Sequence, residues 1–143
     1  MSWPEPEPGL VIRYAYLWDR EARAGREEGT KDRPCAVLLA QTTAEGRVRV
    51  YVLPVTHRPP DDEAVEIPTV TKVRLGLDSE RSWIVLTEIN AFLWPGPDLR
   101  LLPGKGPKSA AYGHLPPRLF RVVRDRSLVL RRARRIAVIA RTE

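Results

Sequence analysis

The feature that most constrains the fold is a series of short β-type segments separated by proline, glycine and charged residues. Four segments, 9–18, 48–56, 64–70 and 83–94, are rich in β-branched and aromatic residues, and a fifth, 34–40, is a continuous apolar run short enough for a buried strand. The charged segment 19–32 and the proline- and glycine-rich segment 95–108 are typical of loops. Strands do not alternate with helices in this pattern, which argues against a parallel doubly wound sheet and predicts antiparallel pairing.

The two ends of the chain differ from this pattern. Residues 1–8 form a proline-rich tail. Apolar residues recur at helical spacing after two prolines, so we predict a C-terminal helix over 117–140, although 136–140 would also suit a short strand. Pro68 cannot donate a ladder hydrogen bond, so 64–70 is predicted to be an edge strand. The expected fold is mainly β with a C-terminal helix (α+β), a small curled antiparallel sheet or partly open barrel in a single domain, 1–143.

Several classes of function are excluded or disfavoured by composition. No apolar run approaches the ~20 residues that a membrane span needs. The single cysteine, Cys35, excludes an internal disulfide and a four-cysteine zinc site. His57 and His114 lie far apart and away from the cysteine, so we expect neither metal nor cofactor. The acidic, proline-broken N-terminus does not resemble a secretory signal, and we expect a cytoplasmic protein.

The positive charge is concentrated near the C-terminus. The formal net charge is +6, and residues 118–143 hold nine arginines against Asp125 and Glu143. Arginine presents a planar fork of donors that suits phosphate, so this bias is consistent with an RNA or DNA partner. A helix face that is simply solvated by arginine explains the same pattern equally well.

Polar residues collect at the predicted strand ends, where functional side chains concentrate in folded proteins. Arg33 begins the second strand, Thr56 and His57 end the third, and Glu28 precedes Arg33 in the charged loop. Glu88 interrupts the apolar segment 83–94, so its carboxylate must face water, find a partner or shift its pKa. A structural role at a turn or strand start remains open for each of these residues.

The order of these motifs resembles the PemK/MazF family of type II toxin–antitoxin ribonucleases, in a divergent PemK-like branch. The segments that carry the resemblance are PGLVIRY (8–14), RPCAVLLA (33–40), VLPVT (52–56) and VEIP (65–68). It implies an SH3-like barrel that forms a homodimer and cleaves single-stranded RNA, such as mRNA, without metal. Cleavage would proceed by attack of the 2′-OH and leave a 2′,3′-cyclic phosphate. The implied protein partner is an antitoxin with an acidic disordered tail.

The resemblance also implies residue roles. The arginine of the Arg-Pro motif matches Arg33, the threonine of Pro-x-Thr matches Thr56, and the loop glutamate matches Glu28, with Glu27 as an alternative. Some family members carry an arginine two residues before an acidic residue on a later strand, and here Leu86 stands in its place.

Two further assignments complete the predicted site. His57 is an alternative proton carrier at neutral pH. The residues predicted to bind RNA are Arg47, Arg49, Arg58 and Lys31. The alternative function is a non-catalytic barrel that binds nucleic acid or protein, including a gyrase poison like the CcdB relatives.

Overall fold

The structure is a computed structural model that describes residues 3–29, 31–103 and 109–141. Residues 104–108, part of the predicted loop 95–108, lie outside the described residues. The described part contains eight strands and three helices: β1 (Leu10–Tyr14), α1 (Asp19–Arg23), β2 (Arg33–Thr42), β3 (Val48–Thr56), β4 (Ala64–Glu66), α2 (Thr69–Leu75), β5 (Trp83–Val85), β6 (Glu88–Leu93), β7 (Ala111–His114), α3 (Pro117–Arg132) and β8 (Ala137–Ala140).

The strands form one mainly antiparallel sheet in which β3 is central. β3 pairs with β2 along one edge, and along its other edge with β6 and then, at its C-terminal end, with β5. β4 pairs with β5 and forms one edge of the sheet. On the other side of β3, β2 pairs with β1, and β1 pairs with β7. The prediction of a mainly antiparallel β fold with a C-terminal helix is therefore confirmed, and β2 and β3 form a hairpin.

Apolar side chains are buried on both faces of this sheet. Alternate residues of β1 enter different cores, with Ile12 in one cluster and Val11 in the other. The second cluster also contains Val123 and Leu130 of α3, which covers that face. Burial on both faces explains why the strand segments are nearly continuous in apolar residues.

The C-terminal helix is shorter than predicted. α3 ends at Arg132, Arg134 takes a left-handed φ of 56°, and residues 137–140 form β8. β8 pairs in parallel with β6. The helix prediction over 117–140 was therefore wrong beyond Arg132, because a free edge of β6 offers ladder hydrogen bonds to a β-branched segment whose spacing also suits a helix.

Two other segments differ from the predicted strands. Only 64–66 of the predicted edge strand 64–70 is extended, and α2 starts directly after Pro68, whose φ of −59° suits a helix start. The predicted strand 83–94 is two strands separated by Leu86 and Thr87. In the described part of the chain, no helix is long and apolar enough to cross a bilayer.

Candidate functional site

A cleft with a volume of about 790 Å³ lies at the C-terminal end of β3. Its walls come from the start of β2, the end of β3 with the loop that follows, and the start of β6. In the β2–β3 hairpin Cys35 is paired with Pro54. Continuing that antiparallel register by two residues sets Arg33 opposite Thr56. Both line the cleft, so the hairpin brings the two predicted residues together.

Arg33 is fixed at the floor of the cleft by two contacts. Its Nη1 donates to the carbonyl oxygen of Val55 at 3.1 Å, and its guanidinium lies 4.8 Å from the centre of the Trp18 ring. Burial lowers the pKa of Arg33, but a guanidinium remains charged at neutral pH. Its Nε is buried and donates to no acceptor among the described residues. The side chain is thus a cation held in a fixed position where it lines the cleft.

Thr56 presents a hydroxyl at the same end of β3. Its Oγ1 accepts a hydrogen bond from the backbone N–H of Arg58 at 3.2 Å. Because the oxygen is an acceptor in that bond, its own proton remains available to donate to a ligand.

Glu88 contributes a carboxylate to the cleft from the first residue of β6. Its Oε1 accepts from the hydroxyl of Tyr16 at 3.1 Å and from the backbone N–H of Asp19 at 2.9 Å. Burial raises the pKa of Glu88, and these two hydrogen bonds offset only part of that effect. A carboxylate with a raised pKa is a better proton acceptor than an ordinary one.

His57 lies in an ion-pair cluster at the mouth of the cleft. Its Nε2 is 2.7 Å from Asp78 Oδ2, and its Nδ1 is 3.5 Å from Glu80 Oε2. These are the only three described residues whose donor atoms lie close enough together to hold a metal ion. The carboxylates face different ring nitrogens, and Lys72 holds the other oxygen of Asp78 at 2.9 Å. The arrangement therefore fits a chain of ion pairs better than a metal centre.

The other predicted site residues divide into two groups. Lys31 and Arg58 line the cleft. Glu28 is exposed and does not line it. Arg49 lies near the start of β3, about 23 Å from Thr56 at ~3.3 Å per residue, and Arg47 directly precedes the strand and is farther still. The structure thus brings Glu88 to the cleft and leaves Glu28 outside.

The cleft is not uniformly basic. Its lining carries more carboxylates than cations, and most of these carboxylates are already paired. Asp62 is paired with Arg135, and Glu63 with Arg126. A phosphate in the cleft would therefore meet a local cation at Arg33 and not a broad basic groove.

Compared with known proteins, the chain matches no protein-family model and no curated protein.

One consequence of the partly buried Glu88 carboxyl is a specific pH dependence of stability. Its pKa in the folded protein lies above the ordinary 4.5, so the folded chain binds more protons than the unfolded chain between those two values. The free energy of unfolding therefore contains a contribution that falls as pH rises through this window. In Glu88→Gln this contribution is absent, while Gln keeps an oxygen to accept from Tyr16 and Asp19.

Urea unfolding of both proteins from about pH 4 to about pH 8 measures this effect. We expect the stability of Glu88→Gln relative to the parent protein to increase with pH and then to level off. A difference that stays constant over the whole range would contradict the burial of an ionising carboxyl at this position.

Proposed function

We propose that this chain is a metal-independent endoribonuclease that cleaves single-stranded RNA through attack of the ribose 2′-OH. The observation that carries the proposal is the juxtaposition of Arg33 and Thr56 across the β2–β3 register in one cleft, with Glu88 lining the same cleft. The order of motifs along the sequence supports the same function.

The chemistry requires three things that these side chains supply. Attack of the 2′ oxygen on phosphorus builds negative charge on the non-bridging oxygens, which the Arg33 guanidinium and the Thr56 hydroxyl stabilise. The 2′ proton passes to Glu88, whose partly buried carboxylate accepts a proton more readily than an ordinary carboxylate does. The bond from phosphorus to the 5′ oxygen then breaks and leaves a 2′,3′-cyclic phosphate.

RNA binding in this proposal depends on few phosphate contacts. Lys31 and Arg58 flank the phosphate at Arg33, since all three line the cleft. Arg47 and Arg49 are too distant to share that phosphate. Because each neutralised phosphate adds to the salt dependence, we expect a shallow decrease of affinity with salt.

The remaining parts of the proposal follow from the resemblance of the sequence. They are closure of the sheet into an SH3-like barrel, a homodimer, a cytoplasmic location and a role as the toxin of a toxin–antitoxin pair. The antitoxin would have an acidic disordered tail that folds on binding.

One observation favours the second candidate function, a non-catalytic docking barrel. Val122 and Val129 on α3 are exposed by 46% and 63%, among arginines that include Arg118 and Arg121. Apolar and cationic side chains on one helix face suit an acidic protein segment.

Incubation with a long single-stranded RNA in EDTA tests the proposal. We expect discrete fragments that carry 2′,3′-cyclic phosphate ends, because the mechanism needs the 2′-OH and no metal. A DNA of the same sequence is the matched control and should stay intact. RNA that is bound but not cut would contradict the proposed activity and favour the docking function.

A further inference from the structure

We infer that Asp78, held in place by the buried Lys72, positions the imidazole of His57. In this position Nδ1 of His57 donates a proton to the leaving 5′ oxygen. This inference rests on the proposed ribonuclease function. It adds two positioning residues that the sequence did not suggest, since neither lies near His57 in the chain.

The first step is the way that Lys72 fixes the loop after α2. Only 5% of its side chain is exposed, although lysine is rarely buried without partners. Its Nζ donates to Asp78 Oδ1 at 2.9 Å, to Ser82 Oγ at 2.7 Å and to the carbonyl oxygen of Glu80. These three bonds use all three ammonium protons. The segment from Asp78 to Ser82 is therefore clamped to α2.

The second step is that the two carboxylate oxygens of Asp78 have different partners. Oδ1 accepts from Lys72, and Oδ2 faces His57 Nε2 at 2.7 Å. Burial opposes ionisation of Asp78, but the hydrogen bond from Lys72 and the nearby positive charges together hold the pKa of this carboxyl below its usual range. A carboxylate fixed at one ring nitrogen sets the orientation of the imidazole and leaves the other nitrogen for chemistry.

The third step identifies the nitrogen that reacts. Nδ1 faces Glu80 at the longer distance of 3.5 Å, and the Glu80 side chain is 70% exposed. The exposed Glu80 side chain can rotate into solvent, which lets a substrate oxygen approach Nδ1 of His57. Asp78 cannot move in this way, because Lys72 holds its other oxygen. The charged groups around His57 are thus Asp78 and Glu80 at the ring, Lys72 behind Asp78, and Arg58 next in the chain.

The proton balance of the reaction is then complete. The 2′ O–H bond breaks and its proton goes to Glu88, while the 2′ oxygen forms the new bond to phosphorus. The bond from phosphorus to the 5′ oxygen breaks with its electron pair, and that oxygen takes the proton from Nδ1 of His57. Exchange with water returns Glu88 and His57 to their starting states.

An RNA in which sulfur replaces the scissile 5′ oxygen tests this inference, because a thiolate leaves without being protonated. We expect His57→Ala to lower kcat on ordinary RNA about 10²-fold, the usual size of a general-acid effect, and Asp78→Asn about 10-fold. In the double variant His57→Ala/Asp78→Asn, the loss of kcat on ordinary RNA should equal that of His57→Ala alone. On the sulfur-containing RNA both variants should cleave at nearly the parent rate.

The controls separate a positioning role from a structural one. Asp61→Asn removes another exposed carboxylate that lines the cleft and should leave kcat on both substrates unchanged. If Asp78→Asn leaves too little folded protein, Asp78→Glu keeps a partner for Lys72 while displacing the carboxylate, and it should show the same substrate-dependent loss.

Two outcomes would overturn the inference in distinguishable ways. Equal slowing of both substrates by Asp78→Asn would refute the proton-donor role while leaving the proposed function intact. Failure of the parent protein to cut either substrate would refute the proposed function, and the role of His57 with it.

Discussion

Replacing Arg33 with lysine should lower the rate of RNA cleavage by about 10²–10³-fold, the size of effect seen when one donor to a developing oxyanion is removed. Lysine keeps the positive charge but lacks the planar fork of donors. In the folded protein Nη1 of Arg33 is engaged by Val55, while the buried Nε has no partner among the described residues. The variant therefore keeps the charge but loses the planar fork of donors and the contact with the Trp18 ring.

The measurement is single-turnover cleavage of RNA, with binding measured separately on an RNA whose 2′-OH groups are replaced by hydrogen. We expect a large loss in the cleavage rate and a small loss in affinity, because the interaction strengthens in the transition state. Arg47→Lys is the matched control. Arg47 is exposed and directly precedes β3, at the end far from the cleft, so this variant should cleave RNA like the parent protein. Equal rates for the two variants would contradict the assignment of the cleft.

The sequence was sufficient to predict the part of the site that depends on local pairing. Val48–Thr56 alternates clearly and is joined to β2 by a short turn, so the hairpin and its end residues follow from the pattern. Because an antiparallel hairpin brings the start of one strand to the end of the other, Arg33 is expected near the end of β3. A register shift between Val37 and Leu39 then sets it opposite Thr56 and not His57, and this shift does not follow from the sequence pattern. The structure agrees with that geometry.

The proton-transfer groups could not be assigned in this way, because their partners are distant in sequence. Glu88 is 72 residues from Tyr16, and only the pairing of β6 with β3 brings them together. Glu28 was chosen for its place before Arg33 in the motif order, but its exposed side chain does not line the cleft. The partner of His57 could not be predicted, because the predicted strand 64–70 included the start of α2 and the helix itself was not predicted. Nothing in the sequence therefore placed the following loop, which carries Asp78, next to His57.

The short strand β8 was predicted only as the alternative to a helical end over 136–140, and the residue that follows it supports the cleft. Arg141 follows β8, and only 1% of its side chain is exposed. Its Nη1 donates to the carbonyl oxygen of Ala15 at 2.7 Å and to Asn90 Oδ1 at 2.9 Å, and its Nη2 is paired with Asp98 at 3.1 Å. Ala15 directly precedes the segment that carries Trp18. A residue near the C-terminus therefore holds the backbone that leads to the cleft.

Arg141→Met should consequently lower the free energy of unfolding by about 3–5 kcal/mol, because it leaves the nearly buried Asp98 carboxylate without its cation. Arg135→Met is the matched control. Arg135 is paired with Asp62 at 2.6 Å, but about half of each side chain is exposed, so its loss should be ~1 kcal/mol or less. Urea unfolding followed by tryptophan fluorescence measures both changes.

The cause of this loss can be separated from the loss of side-chain volume by a second substitution. If the unpaired carboxylate is responsible, adding Asp98→Leu to Arg141→Met should recover stability, since an apolar pair can replace a buried ion pair at little cost. A double variant that is less stable than Arg141→Met alone would show that Asp98 is stabilised by other contacts.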